Sequence, residues 1–341
     1  MAEHFVTEAP EEASTSPITS SDRGSIGRPM QPLVVNSRKF GMMGVKVISD
    51  RLYAVVVDLL GNVLSKESVA VEGKSPQKVI DSTAEIFDEL YSATSLPLVG
   101  IGIGISGDID GKRGVVRRSP ILGWNDPVNL RELLEERCGL PVSVRNDVGA
   151  LTVAEEIFGV GTKSRSFAIV TIGAGIGCGL YINGNLVHGA YDVAGEIGHL
   201  PLAPGNLLCT CGKRGCVETV ASFSSILKSI RKNSGMPTLS FDDAVTMAKA
   251  GDPQARAAFA LAGETIGKAV ASVVNLVGPE QIIISGEGVE NYDLFAHQVR
   301  ESFAGHVFGA AQDTKISLRS HTFYDWARGA AVSVILDILR V

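Results

Sequence analysis

The sequence predicts an α/β protein of two domains, and three observations carry that expectation. The chain has 341 residues, more than one ordinary hydrophobic core absorbs. Short apolar runs alternate with segments of helical periodicity, and the alternation starts afresh after Gly159. Glycine-rich or polar turns follow several of the runs, as they do at the carboxyl ends of strands in open sheets.

Taken in order, residues 1 to about 25 are rich in Ser, Thr, Pro, Glu and Ala. They lack periodic apolar positions and read as a disordered tail. Gly27-Arg28-Pro29 is punctuation before Leu33-Val34-Val35, the first expected strand. Phe40–Ile48 and Leu52–Asp58 follow as strands, and Gly61-Asn62 marks a turn into Val63-Leu64. Val79, Ile80, Ile86, Phe87 and Leu90 recur at helical spacing. Leu98–Ile105 reads as a strand opening onto Ser106-Gly107-Asp108. Leu130–Arg137 reads as a helix closed by Gly139, which takes a left-handed cap at no steric cost. Val142-Ser143-Val144 is a short buried strand with Asn146-Asp147 at its carboxyl end. A helix then runs through Ala154 to Phe158.

In the second half, Phe167–Ile172 and Cys178–Ile182 flank the turn Gly173-Ala174-Gly175-Ile176-Gly177. Asp252-Pro253 starts a helix, with Asp as cap and Pro in the first turn, and Gly278-Pro279 stops it. Gln281–Ser285 is a strand opening onto Gly286-Glu287-Gly288, Ile316–Leu318 a late strand, and Ala327–Leu339 a last helix. The expected organisation is a tail over 1–32, a first α/β domain over 33–150 plus 325–341, and a second over 151–324. A ligand is expected between them, at strand carboxyl ends.

Composition narrows the function classes. A formal charge of −6 argues against a basic nucleic-acid surface spread over the molecule. No apolar run reads as a bilayer span, and the N-terminus lacks a signal pattern. Five cysteines, three of them clustered, do not read as a disulfide framework. A reduced, cytoplasmic protein with a metal site is the expectation.

The metal site is the most specific local pattern. Nine residues separate His199 from Cys209, Cys209-x-Cys211 follows, and four residues separate Cys211 from Cys216. Zinc takes four nitrogen or sulfur ligands in a tetrahedron. Gly212 and Gly215 let the chain wrap a small ion. One imidazole and three thiolates leave no open position, so the expected zinc is structural. Cys138 and Cys178 stand apart and read as small buried apolar residues.

Polar residues gather around that loop. Glu196 precedes His199 by three positions, Glu218 follows Cys216 by two, and Asn146-Asp147 comes from the other half. Carboxylates and an amide at a cleft suit a polyhydroxylated ligand, because each hydroxyl both donates and accepts. The bland alternatives stand beside this: a lone Glu is usually a solvated charge, and Asn146-Asp147 reads equally as a helix cap.

With these residues in view, Thr171 to Glu218 resembles the signature of the ROK family of bacterial repressors and sugar kinases. The likeness runs from about Gly27 to the C-terminus. It implies an actin-like (ribonuclease H-like) fold of two domains, with the last helix returning to the first. It implies sugar binding by Asn146, Asp147, Glu196, His199 and Glu218, all of which match. In a kinase of this family Asp147 would be the general base that deprotonates the attacking hydroxyl. One departure touches the pocket: Ile121 stands where many members have Asn or His.

Other departures fall on the nucleotide side. Family kinases carry Asp-x-Gly-Gly-Thr on the first hairpin, and the segment here is Lys46-Val47-Ile48-Ser49-Asp50. The glycine-made backbone nest for phosphate is gone, although Lys46 still offers an anion a point charge. Gly173, Gly175 and Gly177 keep the second phosphate turn in degenerate form, with Ala174 where a Thr is usual. Glu287 puts a negative charge near the adenosine region. Family repressors keep the sugar pocket and lose the ATP site in this way.

The resemblance also implies a homodimer and a winged helix-turn-helix ending near Gly27-Arg28-Pro29. The residues before Gly27 are too few for three helices, and Arg23 and Arg28 are the only Lys or Arg before Arg38. DNA contact is expected only through a head that this stretch does not supply. The expected function is a non-catalytic sugar sensor, the effector module of a transcriptional regulator, for a hexose or amino sugar. The alternative is an ATP- and magnesium-dependent sugar kinase using Asp147.

Overall fold

A computed structural model describes residues 6–8 and 33–339. Strands β1 (Val6–Glu8) and β2 (Leu33–Val35) pair antiparallel. The stretch expected as a disordered tail therefore contains a strand: its β-prone Val6-Thr7 finds a partner in Leu33–Val35. The rest of that stretch, Gly27-Arg28-Pro29 and any DNA-binding head with it, lies outside the described residues.

The first sheet is built from the meander β3 (Gly41–Val47), β4 (Arg51–Asp58) and β5 (Val63–Ala70). Helix α1 (Pro76–Ala93) leads to β6 (Leu98–Ile105). The hairpin β7 (Asp108–Asp110) and β8 (Val115–Arg118) follows, then α2 (Leu130–Cys138) and β9 (Val142–Asn146). The sheet order is β5-β4-β3-β6-β9, with β3, β6 and β9 parallel. Helix α3 (Asp147–Phe158) then crosses to the second half.

The second sheet repeats that order. Its meander is β10 (Phe167–Ile172), β11 (Ile176–Ile182) and β12 (Asn185–Leu186). Helices α4 (Glu218–Ala221), α5 (Phe223–Ser234), α6 (Phe241–Ala250) and α7 (Pro253–Val277) come next. They lead to β13 (Gln281–Ser285), α8 (Ala296–His306), β14 (Lys315–Leu318) and α9 (Phe323–Leu339). The order is β12-β11-β10-β13-β14, again an antiparallel meander extended by two parallel strands.

Burial explains why these runs read as continuously apolar. Every residue of β3 and of β10 is buried, because both sheets are covered on two faces. One face of the first sheet packs Ile101, Ile103 and Val45 against Ile80, Phe87 and Leu134 from α1 and α2. One face of the second packs Ile282 and Ile284 against Phe259, Ile266 and Phe303 from α7 and α8. Helix α7 is long and apolar enough to cross a membrane by composition, but 67% of its apolar window is buried inside this protein. Its Ala and Val face is core, against α4, α5, α6 and α8.

The other faces meet at a seam of two helices. Helix α3 packs on β10 and β11, α9 on β3, β4 and β6, and the two helices pack on each other. The last helix thus returns to the first sheet. Its seat depends on missing side chains: a Cβ on Gly102 would lie 1.8 Å from the Ala330 carbonyl oxygen. Gly102→Ala is therefore expected to cost about 1–3 kcal/mol through overpacking. A urea midpoint equal to the parent's would count against this seating of α9.

Several ends follow the local signals. Ser75 caps α1 ahead of Pro76, Asp252 caps α7 ahead of Pro253, and Gly139 and Gly278 end α2 and α7 in the left-handed region. The hairpin β7–β8 was not legible. Its strands are short and charged, and Arg117 pairs with both Asp108 and Asp110 at 2.8 Å.

Candidate functional site

The carboxyl ends of the parallel strands of both sheets open on one cleft of about 760 Å³. From the first half come Lys46 and Val47 at the end of β3, Ser106-Gly107-Asp108 after β6, and Asn146-Asp147 at the junction of β9 and α3. From the second come Gly173–Gly177 after β10 and Glu287 after β13. A polar ligand site is expected at such ends, where chain reversals leave backbone and side-chain groups free of the sheet ladder.

His199, Cys209, Cys211 and Cys216 converge with ligand atoms all within 4.8 Å of one another. Cys211 Sγ lies 3.7 Å from Cys216 Sγ, and Cys209 Sγ lies 3.7 Å from His199 Nδ1. Metal–sulfur bonds of about 2.3 Å in a tetrahedron separate sulfurs by about 3.8 Å. The spacing thus fits a shared zinc-sized cation and is far too long for a disulfide, whose sulfurs lie about 2.05 Å apart. Burial and the neighbouring Cys211 and Cys209 thiols push the Cys216 thiol up to about 12. Gly212 (φ +87°) and Gly215 (φ +74°) turn the loop in the left-handed region. Cys209 N–H donates to Lys213 O at 2.8 Å inside it. Cys178, apart from this cluster, is buried, and burial pushes its thiol up to about 12, as a core residue requires.

The five predicted ligand-binding residues, Asn146, Asp147, Glu196, His199 and Glu218, all line the cleft. His199 turns Nδ1 to Cys209, and its Nε2 lies 3.9 Å from Glu196 Oε2. One ring nitrogen thus faces the sulfur cluster and the other the cleft. Enclosure by the cleft walls, then the charges of Glu218, Asp147 and Asp108, raise the Glu196 carboxyl to about 7. Glu218 begins α4, and its Oε1 accepts from Ile176 N–H at 3.0 Å. Asn146 is also a helix cap: its Oδ1 accepts from Val148 N–H at 3.0 Å and Gly149 N–H at 3.4 Å. Its Nδ2 donates to Gly107 O at 3.2 Å, which leaves one N–H for a ligand.

Asp147 is buried at 7% exposure and is held by an ion pair with Lys46, itself 4% exposed. Lys46 Nζ also stands 4.7 Å from the centre of the Trp326 ring, a cation–π contact that shields it from water. Asp147 Oδ1 accepts from Val148 N–H at 2.9 Å. Lys46, expected to offer an anion a point charge, is therefore turned inward. It neutralises the carboxylate instead of waiting for an anion.

Gly173 and Gly175 lie in the tight turn between β10 and β11, whereas Gly177, expected in that turn, pairs with Thr171 inside β11, and carboxylates fill the surroundings of the turn. A Cβ on Gly173 would lie 2.1 Å from Glu287 Oε2, and one on Gly175 would lie 2.8 Å from Glu218 Oε1. A donor that would cradle phosphate, Ile176 N–H, is engaged by Glu218. On the first hairpin Ile48 and Ser49 line the cleft, whereas Asp50 is exposed outside the lining.

Some site residues carried no sequence signal. Arg118, in the unforeseen hairpin, lines the cleft and donates from Nη2 to Thr210 O at 3.2 Å, between two of the sulfur ligands. Phe323 and Trp326 reach the cleft from α9. Behind the cleft, buried Glu155 of α3 accepts from Arg319 at 2.9 Å and lies 2.7 Å from His321 Nε2. His321 Nδ1 lies 2.7 Å from Ser285 Oγ. This cluster clasps the two segments by which the chain passes between the halves.

With this geometry in hand, comparison with known proteins places it. A family model described as the ROK family matches residues 42–335. The DNA-binding transcriptional repressor Mlc of Escherichia coli is 27% identical over 329 residues, covering 93% of this chain and 81% of the repressor. A glucokinase of Halalkalibacterium halodurans is 29% identical over 296 residues, covering 78% of this chain and 89% of the enzyme. Among solved structures, a ROK family glucokinase from Streptomyces griseus in complex with glucose and AMPPNP superposes with a TM-score of 0.72 at 26% identity. That likeness covers 85% of this chain and 98% of the other.

Proposed function

The chain belongs to the ROK family, whose similar members here include both repressors and glucokinases, and we propose that it binds a sugar without phosphorylating it. In this reading it is the sugar-sensing effector module of a transcriptional regulator. Asn146, Glu196, His199 and Glu218 hold a hexose or amino sugar in the cleft, with Asp147 beside them.

The ion pair between Lys46 and Asp147 carries the reading. A general base needs a free lone pair within reach of the hydroxyl it deprotonates. Asp147 would have to release a buried ammonium before it took that proton. Phosphoryl transfer also needs cations and donors around the moving phosphate. Here the glycine turn meets Glu287 and Glu218 instead.

The zinc site is structural in this reading: it holds Glu196 and Glu218 on either side of His199. Sugar bridging both halves shifts an open–closed equilibrium. A homodimer passes that shift to a helix-turn-helix ahead of the sugar-binding part, which makes the DNA contact. Reduced cysteines suit a cytoplasmic location.

Thermal unfolding of the zinc-loaded protein against hexoses and N-acetyl amino sugars, each with and without Mg-ATP, tests the reading. A sugar at a hundred times its dissociation constant is expected to add about 2.7 kcal/mol. ATP is expected to add nothing, and no ADP is expected to form. Sugar-dependent ADP release would decide for the glucokinase-like alternative.

A further inference from the structure

We propose that Glu155, His321 and Ser285 form a buried relay of positioning residues, which pins three cleft-lining segments together and so sets sugar affinity from outside the cleft. The inference rests on the sugar-binding reading above and adds to it the place where affinity is controlled.

None of these three described residues lines the cleft, yet each leads to one that does. Glu155 lies on α3, whose first residue is Asp147. His321 enters α9, which brings Phe323 and Trp326 to the cleft. Ser285 ends β13, just ahead of Glu287. His321 holds the three together: its Nε2 lies 2.7 Å from Glu155 Oε1 and its Nδ1 2.7 Å from Ser285 Oγ. The His321 and Glu155 side chains are 7% and 4% exposed, and Ser285 is fully buried. Glu155 Oε2 accepts from Arg319 Nη1 at 2.9 Å and from Val160 N–H at 3.1 Å. A Cβ on Gly159 would lie 2.0 Å from that oxygen, so the glycine lets the carboxylate fold back over the end of α3.

Burial raises the Glu155 carboxyl, but the His321 hydrogen bond, the Val160 N–H and the Arg319 charge outweigh it and hold the group below its ordinary value. An ionised carboxylate only accepts, so His321 Nε2 carries a proton and donates to it. A neutral ring then accepts the Ser285 hydroxyl proton at Nδ1, and each member fixes the orientation of the next. Arg319, with its side chain 43% exposed, is the weaker tie. Cutting the relay leaves buried polar groups unpaired, which favours arrangements in which the three segments part. Helices α3 and α9 are in backbone contact further along, where a Cβ on Gly329 would lie 2.0 Å from Ala150 O, so they shift together. The fraction of molecules with every wall of the cleft in place then falls, and apparent sugar affinity falls with it.

Titration calorimetry and tryptophan emission on the zinc-loaded full chain test this. The probes are D-glucose, D-mannose and D-galactose, each beside its 2-acetamido-2-deoxy analogue. Trp326 reports on the cleft wall, while Trp124, the protein's other tryptophan, lies in the core of the first half. Ser285→Ala is expected to weaken the tightest-binding probe about 10-fold. It is also expected to move the emission of the sugar-free protein to longer wavelength. His321→Gln keeps a donor for Glu155 but loses Ser285, and is expected to do the same should the first variant not fold. The double variant is expected to bind no more weakly than either single one, because both cut one bond. Ser302→Ala is the control for lost stability: it removes a buried hydroxyl bond to Glu264 O, 2.7 Å long, on α8. It is expected to leave affinity and emission unchanged. Parent-like affinity in the folded relay variants overturns the inference alone. So does an equal loss in Ser302→Ala. Binding of none of the probes to the parent overturns the sugar-binding reading, and the inference with it.

Discussion

Cys216→Ala is expected to release the metal and to destabilise the protein by several kcal/mol. Cys216 is the most enclosed of the four ligands, at 1% exposure. The loop from His199 to Cys216 has almost no regular structure beyond a 3-10 turn at Ile197–His199, and Leu208 within it is exposed. Leu200, Leu202, Ala203 and Leu207 anchor its first part against the core of the second half, and closure of the turn beyond them falls to the four ligands. Structural zinc contributes about 10–16 kcal/mol of apparent binding energy in peptides that fold only around it. Less is at stake here, because the second sheet and α7 have a core of their own. At about 2–4 °C per kcal/mol for a chain somewhat smaller than this one, the loss is expected to lower the midpoint by on the order of 10 °C. A chelator is expected to bring the parent to the variant's midpoint and to leave the variant unmoved. Elemental analysis is expected to find about one zinc per parent chain and almost none in Cys216→Ala. A parent that purifies metal-free and ignores the chelator would reduce the cluster to three thiols beside an imidazole.

Lys46→Met is expected to cost about 3–5 kcal/mol. The methionine keeps the volume and the contact with Trp326, but the Asp147 carboxylate is left buried without its cation. Removing one member of a buried pair is costly because the other charge stays desolvated, whereas replacing both with neutral groups is often close to neutral. Adding Asp147→Asn to Lys46→Met is therefore expected to recover most of the loss. Urea unfolding of the parent, the two single variants and the double variant measures this as a coupling energy. Additive losses would mean that Lys46 and Asp147 do not act as a pair. The same variants bear on chemistry. Freeing Asp147 is not expected to create ADP-forming activity, because Glu287 still crowds Gly173 and Ile48 still occupies the first hairpin.

The two expectations divide the molecule's polar residues by task. In the proposed reading the sulfur cluster stabilises the loop that bears the ligand residues, and the buried pair disarms the acid that a kinase would use. A sensor benefits from both, since a bound sugar that is never consumed reports concentration instead of flux. Glu155, His321 and Arg319 join the segments that cross between the halves.

Sequence by itself determined what depends on neighbours along the chain. The metal ligands lie within eighteen residues of one another, from His199 to Cys216, so their spacing alone constrained the chemistry. Strands such as Leu98–Ile105 and Gln281–Ser285 were legible to the residue, because both are apolar runs bounded by Pro or Gly. The caps of α2 and α7 were legible because Gly, Asp and Pro act on the backbone beside them. The resemblance named Asn146, Asp147, Glu196, His199 and Glu218, and all five reach one cleft. Tertiary structure decided the rest. Lys46 and Asp147 are 101 positions apart and meet only because β3 and β9 flank β6, ending on the same edge. Arg118 and Thr210, 92 positions apart, meet across the halves. In the sequence Lys46 was a charge facing a possible phosphate, and no local pattern reveals which way a lysine turns. A side chain's partner is set by the order in which strands assemble, and that order depends on the burial of both sheet faces together.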